Sequence, residues 1–202
     1  MNVSDYIQSG ILEMYLLGIT SSAETTEVEE MANKYPMIRA EIDALSKDIE
    51  LYASFHAVNP SPTIKPFLMA SIDYSERIKN GETPSFPPML NINSKVEDFG
   101  EWLNRKDIVL PDDFTDFYAK IIGHTQQMVT AVVWIGKMAP EEIHDDEHEK
   151  FLILEGTCDI IVENNVHHLK AGDFFEIPLH KTHTVKITSD VPCKTILQRM
   201  AA

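Results

Sequence analysis

Short apolar runs broken by turn residues, spaced more closely than helices allow, fill residues 136–183 and limit what this chain can fold into. The run Phe151-Leu152-Ile153-Leu154 closes on Glu155-Gly156. Residues 158–162 follow, then a polar turn at Asn164-Asn165 and a returning run through Val166 and Leu169. Ala171-Gly172-Asp173 makes the next turn and Phe174-Phe175-Glu176-Ile177-Pro178 the next strand, with His183 just beyond. Upstream, residues 114–122 and 126–135 read as two more strands, with His124 in the turn and Trp134 in the core beside Val132. Many short strands with a turn signal between each pair predict an antiparallel barrel or jelly roll.

Four metal-type side chains fall within this pattern: Glu142, His144, Glu149 and His183. Alternate residues of a strand face one way, so Glu142 and His144 would share a face, as would Glu149 and Phe151. Two imidazoles and two carboxylates suit a borderline divalent ion such as Zn, Mn, Fe or Ni. The competing reading is a set of solvated polar groups at a strand end of an acidic protein. His144-Asp145-Asp146-Glu147-His148 also spells H-x-x-E-H, but that protease motif requires a helix, and here it bridges two strands. His148 is the substitute ligand, although by parity it points away from Glu149.

The order of these residues resembles the two cupin motifs. The first runs glycine, a spacer, His-x-His, three or four residues, Glu, six residues, glycine; Gly136, His144, Glu149 and Gly156 follow it, with Glu142 in place of the first histidine. The second runs glycine, five residues, proline, x, glycine, two residues, histidine; Gly172, Pro178 and His183 follow it, with His180 in place of the glycine. The resemblance implies a cupin domain over 89–202 whose metal is held by Glu142, His144, Glu149 and His183.

Residues 1–77 carry a different period. Ile7, Ile11, Leu12, Met14, Tyr15 and Leu16 form the apolar face of a first helix ending near Gly18. Ser21 followed by Glu24 is a capping-box signature for a second helix. Pro36 opens a third, with Ile38, Ile42, Leu45, Ile49, Tyr52 and Phe55 in steps of four and three. Asn59-Pro60-Ser61-Pro62 ends it, and a fourth helix is predicted over 63–78. Four short helices make a poor core by themselves, so part of their apolar surface is expected to serve a partner, or else to cap the barrel or form a dimer. Residues 78–88, rich in proline, read as a semi-stiff linker.

The helical stretch Ser9-Gly10-Ile11-Leu12-Glu13-Met14-Tyr15-Leu16-Leu17-Gly18-Ile19, followed by an acidic helix and then Lys34-Tyr35-Pro36-Met37-Ile38-Arg39-Ala40-Glu41-Ile42, is similar to the sigma-binding domain of anti-sigma factors. The zinc ligands of that family's zinc-bearing branch fall here on Met31, Tyr35 and Ile38, so the resemblance is to the zinc-free branch. It implies that the apolar faces around Ile11, Tyr15, Ile42 and Ile49 hold an extracytoplasmic-function sigma factor. A small molecule or oxidant meeting the cupin metal would be the signal, and the free protein would form a homodimer, since cupins commonly pair through their strands.

Charge agrees with a basic protein partner. The chain has 32 Asp and Glu against 17 Lys and Arg, a formal net charge of −15, which argues against direct binding of nucleic acid or an anionic membrane. Its two cysteines, Cys158 and Cys193, suggest buried thiols rather than a disulfide framework. No signal peptide or membrane span is evident, so a cytoplasmic location is expected. The fold class is therefore α+β as a two-domain chain: a small helical domain followed by a double-stranded β-helix of cupin type. The function expected is sequestration of a sigma factor. The alternative is a metal-dependent cupin dioxygenase or isomerase with a helical cap.

Overall fold

The computed structural model describes residues 2–202 and forms two compact units, one reaching Asn59 and one spanning Pro60–Ala202. The helical unit contains α1 (Val3–Ile7), α2 (Ile11–Leu16), α3 (Ser22–Lys34) and α4 (Pro36–Phe55). The single first helix read from the sequence is in fact two, because Gly10 takes a left-handed φ of 82° at the start of α2 and breaks the run. The capping box forms as expected: Ser21 Oγ accepts from the Glu24 N–H at 3.3 Å, and Glu24 Oε2 accepts from the Ser21 N–H at 2.8 Å. Tyr6, Leu12, Val28, Ala32, Ile38 and Ile42 are the core, with Met31 and Tyr35 packed against it. From the 20-residue α4 only Ile38 and Ile42 are buried; Leu51, Tyr52 and Phe55 are exposed.

The second unit opens with α5 (Ile64–Lys79). The sequence placed this helix with the others up to residue 77, but Phe67, Ala70 and Tyr74 join the core of the barrel. A face of spacing three and four looks the same in sequence whether it meets helices or strands. Nine strands follow: β1 (Phe117–His124), β2 (Met128–Ile135), β3 (Met138–Glu142), β4 (Glu147–Glu155), β5 (Thr157–Val162), β6 (Asn165–Lys170), β7 (Phe174–Ile177), β8 (His183–Ile187) and β9 (Cys193–Ala201). They form two antiparallel sheets, ordered β1-β2-β9-β4-β7 and β3-β8-β5-β6. This is the jelly roll expected, with His124 ending β1 rather than lying in the turn. The β5–β6 turn is one residue earlier than read, because Val162 pairs with Asn165 and Glu163 takes the left-handed backbone at φ 53°. No helix among the described residues is long and apolar enough to cross a membrane.

One core lies between the sheets and holds both cysteines, which are buried and free. A second core lies on the outer face of the five-stranded sheet, where Leu90, Phe99, Trp102 and Ile108 pack on Ile122, Val132, Trp134, Leu152 and Ile196. Phe99 ends a 3-10 turn (Val96–Phe99) and Trp102 lies in α6 (Gly100–Leu103). Burial on both faces explains the apolar run Ala131–Ile135 of β2, which does not alternate.

The proline-rich segment read as a linker is part of this layer. Ser85 Oγ donates to the Ile122 carbonyl at 3.0 Å and accepts from the Trp102 indole N–H at 2.8 Å. The buried Gln198 amide donates to the Pro88 carbonyl at 2.8 Å and accepts from the Leu90 N–H at 2.7 Å. Composition suggested a spacer because prolines have no N–H to contribute, yet their carbonyls and rings are used. Gly123 is where the segment comes closest: a Cβ there would overlap the Pro87 ring and sit 2.9 Å from the Ser85 carbonyl oxygen. Gly123→Ala is therefore expected to cost about 1–3 kcal/mol in urea denaturation. Gly100→Ala, whose Cβ meets Asn104 Nδ2 at an ordinary 3.7 Å, is the near-neutral control.

Candidate metal centre

Two directly opposed residue pairs, one on each sheet, face each other at one end of the barrel. On the four-stranded sheet Glu142 of β3 lies opposite His183 of β8. On the five-stranded sheet Glu149 of β4 lies opposite Arg199 of β9. Side-chain contacts join the pairs: His183–Glu149 and Arg199–Glu142 cross between the sheets, and Arg199–Glu149 lies within one. His183 Nε2 is 3.0 Å from Glu149 Oε2, Arg199 Nε donates to Glu149 Oε1 at 2.8 Å, and Arg199 Nη2 donates to Glu142 Oε2 at 2.9 Å.

His144 reaches the group by a different route from the one expected. The register of β3 against β8 slips between Ala139 and Glu142, around Pro140, and the strand ends at Glu142. A proline has no N–H to give the ladder, so a bulge there is its natural place. His144 therefore lies in the following loop, not on the Glu142 strand face, and its carbonyl accepts the His180 N–H at 2.9 Å. His180 has φ 60° in the left-handed region, the conformation a glycine would supply more easily. Its imidazole meets Asp145 at 3.1 Å. The loop brings His144 Nε2 to 3.4 Å from Glu149 Oε2 and 3.8 Å from Glu142 Oε2.

All four expected ligands thus converge. Ligand atoms of Glu142, His144 and His183 lie within 4.8 Å of one another, and Glu149 Oε2 contacts both imidazoles. A zinc ion with bonds of about 2.1 Å would hold its ligand atoms roughly 3.0–3.4 Å apart; the two imidazole contacts to Glu149 Oε2 match this at 3.0 and 3.4 Å, while His144 Nε2 to Glu142 Oε2 is wider at 3.8 Å. His144 Nε2 is buried without a hydrogen-bond partner, which is costly unless something else fills that place. With neutral imidazoles the two carboxylates and Arg199 leave one negative charge. The donor set, the unpaired nitrogen and the charge all fit a divalent ion.

Burial opposes the charge on Glu149, but His144, His183 and Arg199 outweigh it and hold the carboxyl well below the ordinary glutamate range. Glu149 in turn raises the pKa of His144 above the usual histidine value, against the effect of burial.

His148 points as parity predicts, toward Glu176 at 3.6 Å, and takes no part in the group. Of the partner-contact residues expected in the helical unit, Ile42 is buried in that unit's own core, and Ile11 and Tyr15 pack against it. Ile49 is half-buried. Two functional residues escaped the sequence reading. Arg199 shares a face of β9 with the buried Leu197 two positions earlier, but the facing of that strand was not read from the sequence, so this parity went unused. Thr63, whose Oγ1 donates to Glu142 Oε1 at 2.8 Å across 79 residues, gives no sequence signal.

Residues 129–198, which contain all four expected ligands, match the family described as Cupin domain. No curated protein sequence matches the chain. Among solved structures it is similar to the Schizosaccharomyces pombe Cnp3 cupin domain, at 14% identity over 44% of this chain and 67% of that one, with a TM-score of 0.42. A predicted oxalate decarboxylase from Thermotoga maritima matches at 15% identity over 43% and 81%, with a TM-score of 0.41. KdgF from a Halomonas species matches at 20% identity over 45% and 85%, with a TM-score of 0.40. A helical N-terminal region followed by a cupin domain is the architecture of this chain.

Proposed function

We propose that this chain is a negative regulator of transcription that holds an extracytoplasmic-function sigma factor through its helical unit and senses a signal at the barrel's metal centre. The observation that carries this reading is the uncovered half of α4. Leu51, Tyr52 and Phe55 are 57%, 69% and 79% exposed, although the helix has a buried face of its own further back. Large apolar side chains left in water on a helix of a small unit mark an interaction surface. The contact surface thus moves from Ile42 toward Tyr52 and Phe55. Residues 1–59 hold ten Asp and Glu against three Lys and Arg, an excess that would draw such a unit toward the basic promoter-binding surfaces of a sigma factor.

The metal would be a divalent Zn, Mn, Fe or Ni ion held by Glu142, His144, Glu149 and His183. A small molecule or oxidant acting there would release sigma only if it favours the free state over the bound one. The enzymatic reading would require a substrate-sized chamber of about 300 Å³ or more. The chamber beside Glu142, Glu149 and His183 has about 20 Å³, enough for one water molecule, and Phe67 of α5 is part of its wall. A chamber of that size suits an oxidant no larger than water better than an organic substrate.

The test is co-expression of the full chain with each extracytoplasmic-function sigma factor of its own genome. A one-to-one complex is expected with one of them, weakened at least 100-fold by the double substitution Tyr52→Asp and Phe55→Asp. Retention of none would overturn the reading and turn attention to the barrel as an enzyme.

A further inference from the structure

Thr63 stands at the N-cap of α5, where a threonine hydroxyl ordinarily accepts a backbone N–H of the first helical turn. Here it makes no such bond. Its Oγ1 lies 2.8 Å from Ser61 Oγ and donates to Glu142 Oε1 at 2.8 Å. The residue is 6% exposed, so the hydroxyl has no water to fall back on. One turn further along the same face, the Phe67 ring lies 4.9 Å from the Arg199 guanidinium carbon. The first turn of α5 therefore touches both charged residues that face each other across the end of the barrel.

We propose that Thr63 is a positioning residue of the metal centre and that, through it, the seating of α5 on the barrel and the affinity for metal are linked. The proposal rests on the reading that Glu142, His144, Glu149 and His183 hold a divalent ion. Glu142 ends a strand just past a bulge, and two side chains hold its carboxylate: Arg199 at Oε2 and Thr63 at Oε1. The Thr63 hydroxyl holds Oε1 while Arg199 Nη2 holds Oε2 at 2.9 Å, which keeps Oε2 3.8 Å from His144 Nε2. Hydrogen bonds of this kind to a ligating carboxylate typically govern metal affinity by 10–100-fold. Because linkage is reciprocal, an ion that needs Glu142 in this orientation holds α5 down, and lifting α5 lowers the affinity for the ion. Thr63 follows the end of the helical unit by four residues, so the segment that would move is the one that leads to the sigma-binding helices.

The experiment uses the full chain and zinc. Zinc affinity is measured by competition with a chromogenic chelator, and hydrogen exchange over residues 60–79 is followed with and without zinc. Thr63→Val, which keeps the shape and removes the hydroxyl, is expected to weaken zinc binding about 10–100-fold, and Thr63→Ser to restore it to within roughly threefold. In the native chain zinc is expected to slow exchange in α5, and in Thr63→Val this slowing should largely vanish while β2 and β9 stay protected. Native zinc affinity in Thr63→Val, or exchange in α5 that ignores zinc in the native chain, would overturn the link. A native chain that takes no zinc in the first titration would remove the metal centre itself, a different failure seen before any variant is made.

Discussion

Arg199→Met is expected to destabilise the metal-free protein by about 3–5 kcal/mol, the scale for removing one partner of a buried ion pair. Glu149 is 2% exposed, and among the described residues the guanidinium is the only Lys or Arg charge in contact with it. It also neutralises Glu142 at 2.9 Å, so its removal leaves two carboxylates facing each other with only imidazoles between them. Methionine keeps much of the side-chain volume, so the loss reports charge rather than packing. Urea denaturation in the presence of a chelator makes the measurement. Adding zinc should then recover a large part of the loss, since an ion at 1,000 times its dissociation constant contributes about 4 kcal/mol. The sign with pH follows from Glu149. Its carboxyl is held below the ordinary value in the folded state, so its stabilising contribution is complete above that value and disappears as pH falls through the lowered one. Arg199→Met should shrink this acid-sensitive part. A loss below about 1 kcal/mol would mean that the guanidinium is not what offsets the buried carboxylate.

The strands and the convergence of Glu142, His144, Glu149 and His183 were legible because each depends on local chemistry that sequence displays. Gly156 and Gly172 take φ of 78° and 91°, so the motif glycines mark turns that other residues would strain. Glu149 and His148 were assigned to opposite faces by parity alone, and their side chains do point apart. His144 was placed correctly for the wrong reason: a strand through residue 144 would have aimed it inward, and a loop after the Pro140 bulge aims it there instead. The departure at His180 costs the backbone some strain without moving His183, because the left-handed conformation is kept. The parts that could not be read depend on what an element meets. The apolar face of α5 has the same period as that of α4, yet one packs on strands and the other is half uncovered. Arg199 and Thr63 act through pairings 50 and 79 residues apart along the chain, and no local pattern announces them.

His183→Ala is expected to lower zinc affinity by more than about 100-fold, since even outer partners of metal ligands typically cost 10–100-fold. His183 would contribute Nε2 from a side chain that is 4% exposed, so no water-accessible group stands ready to replace it. His148→Ala, by contrast, should bind zinc like the native chain, because His148 faces Glu176 on the outside of the sheet. Metal content after purification and competition with a chelator both measure this. The pH dependence adds a check on His144. Zinc needs a neutral imidazole, and Glu149 raises the His144 pKa above its ordinary value of 6.5, so protons compete with the ion already near neutrality. Below that raised value affinity should fall by about tenfold per pH unit, with the loss starting above pH 6.5 rather than below it. Stoichiometric metal in His183→Ala, or an affinity unchanged from pH 8 to about 5.5, would remove these imidazoles from the coordination set. Loss of metal in His148→Ala would instead place the ion outside the barrel, next to Glu176.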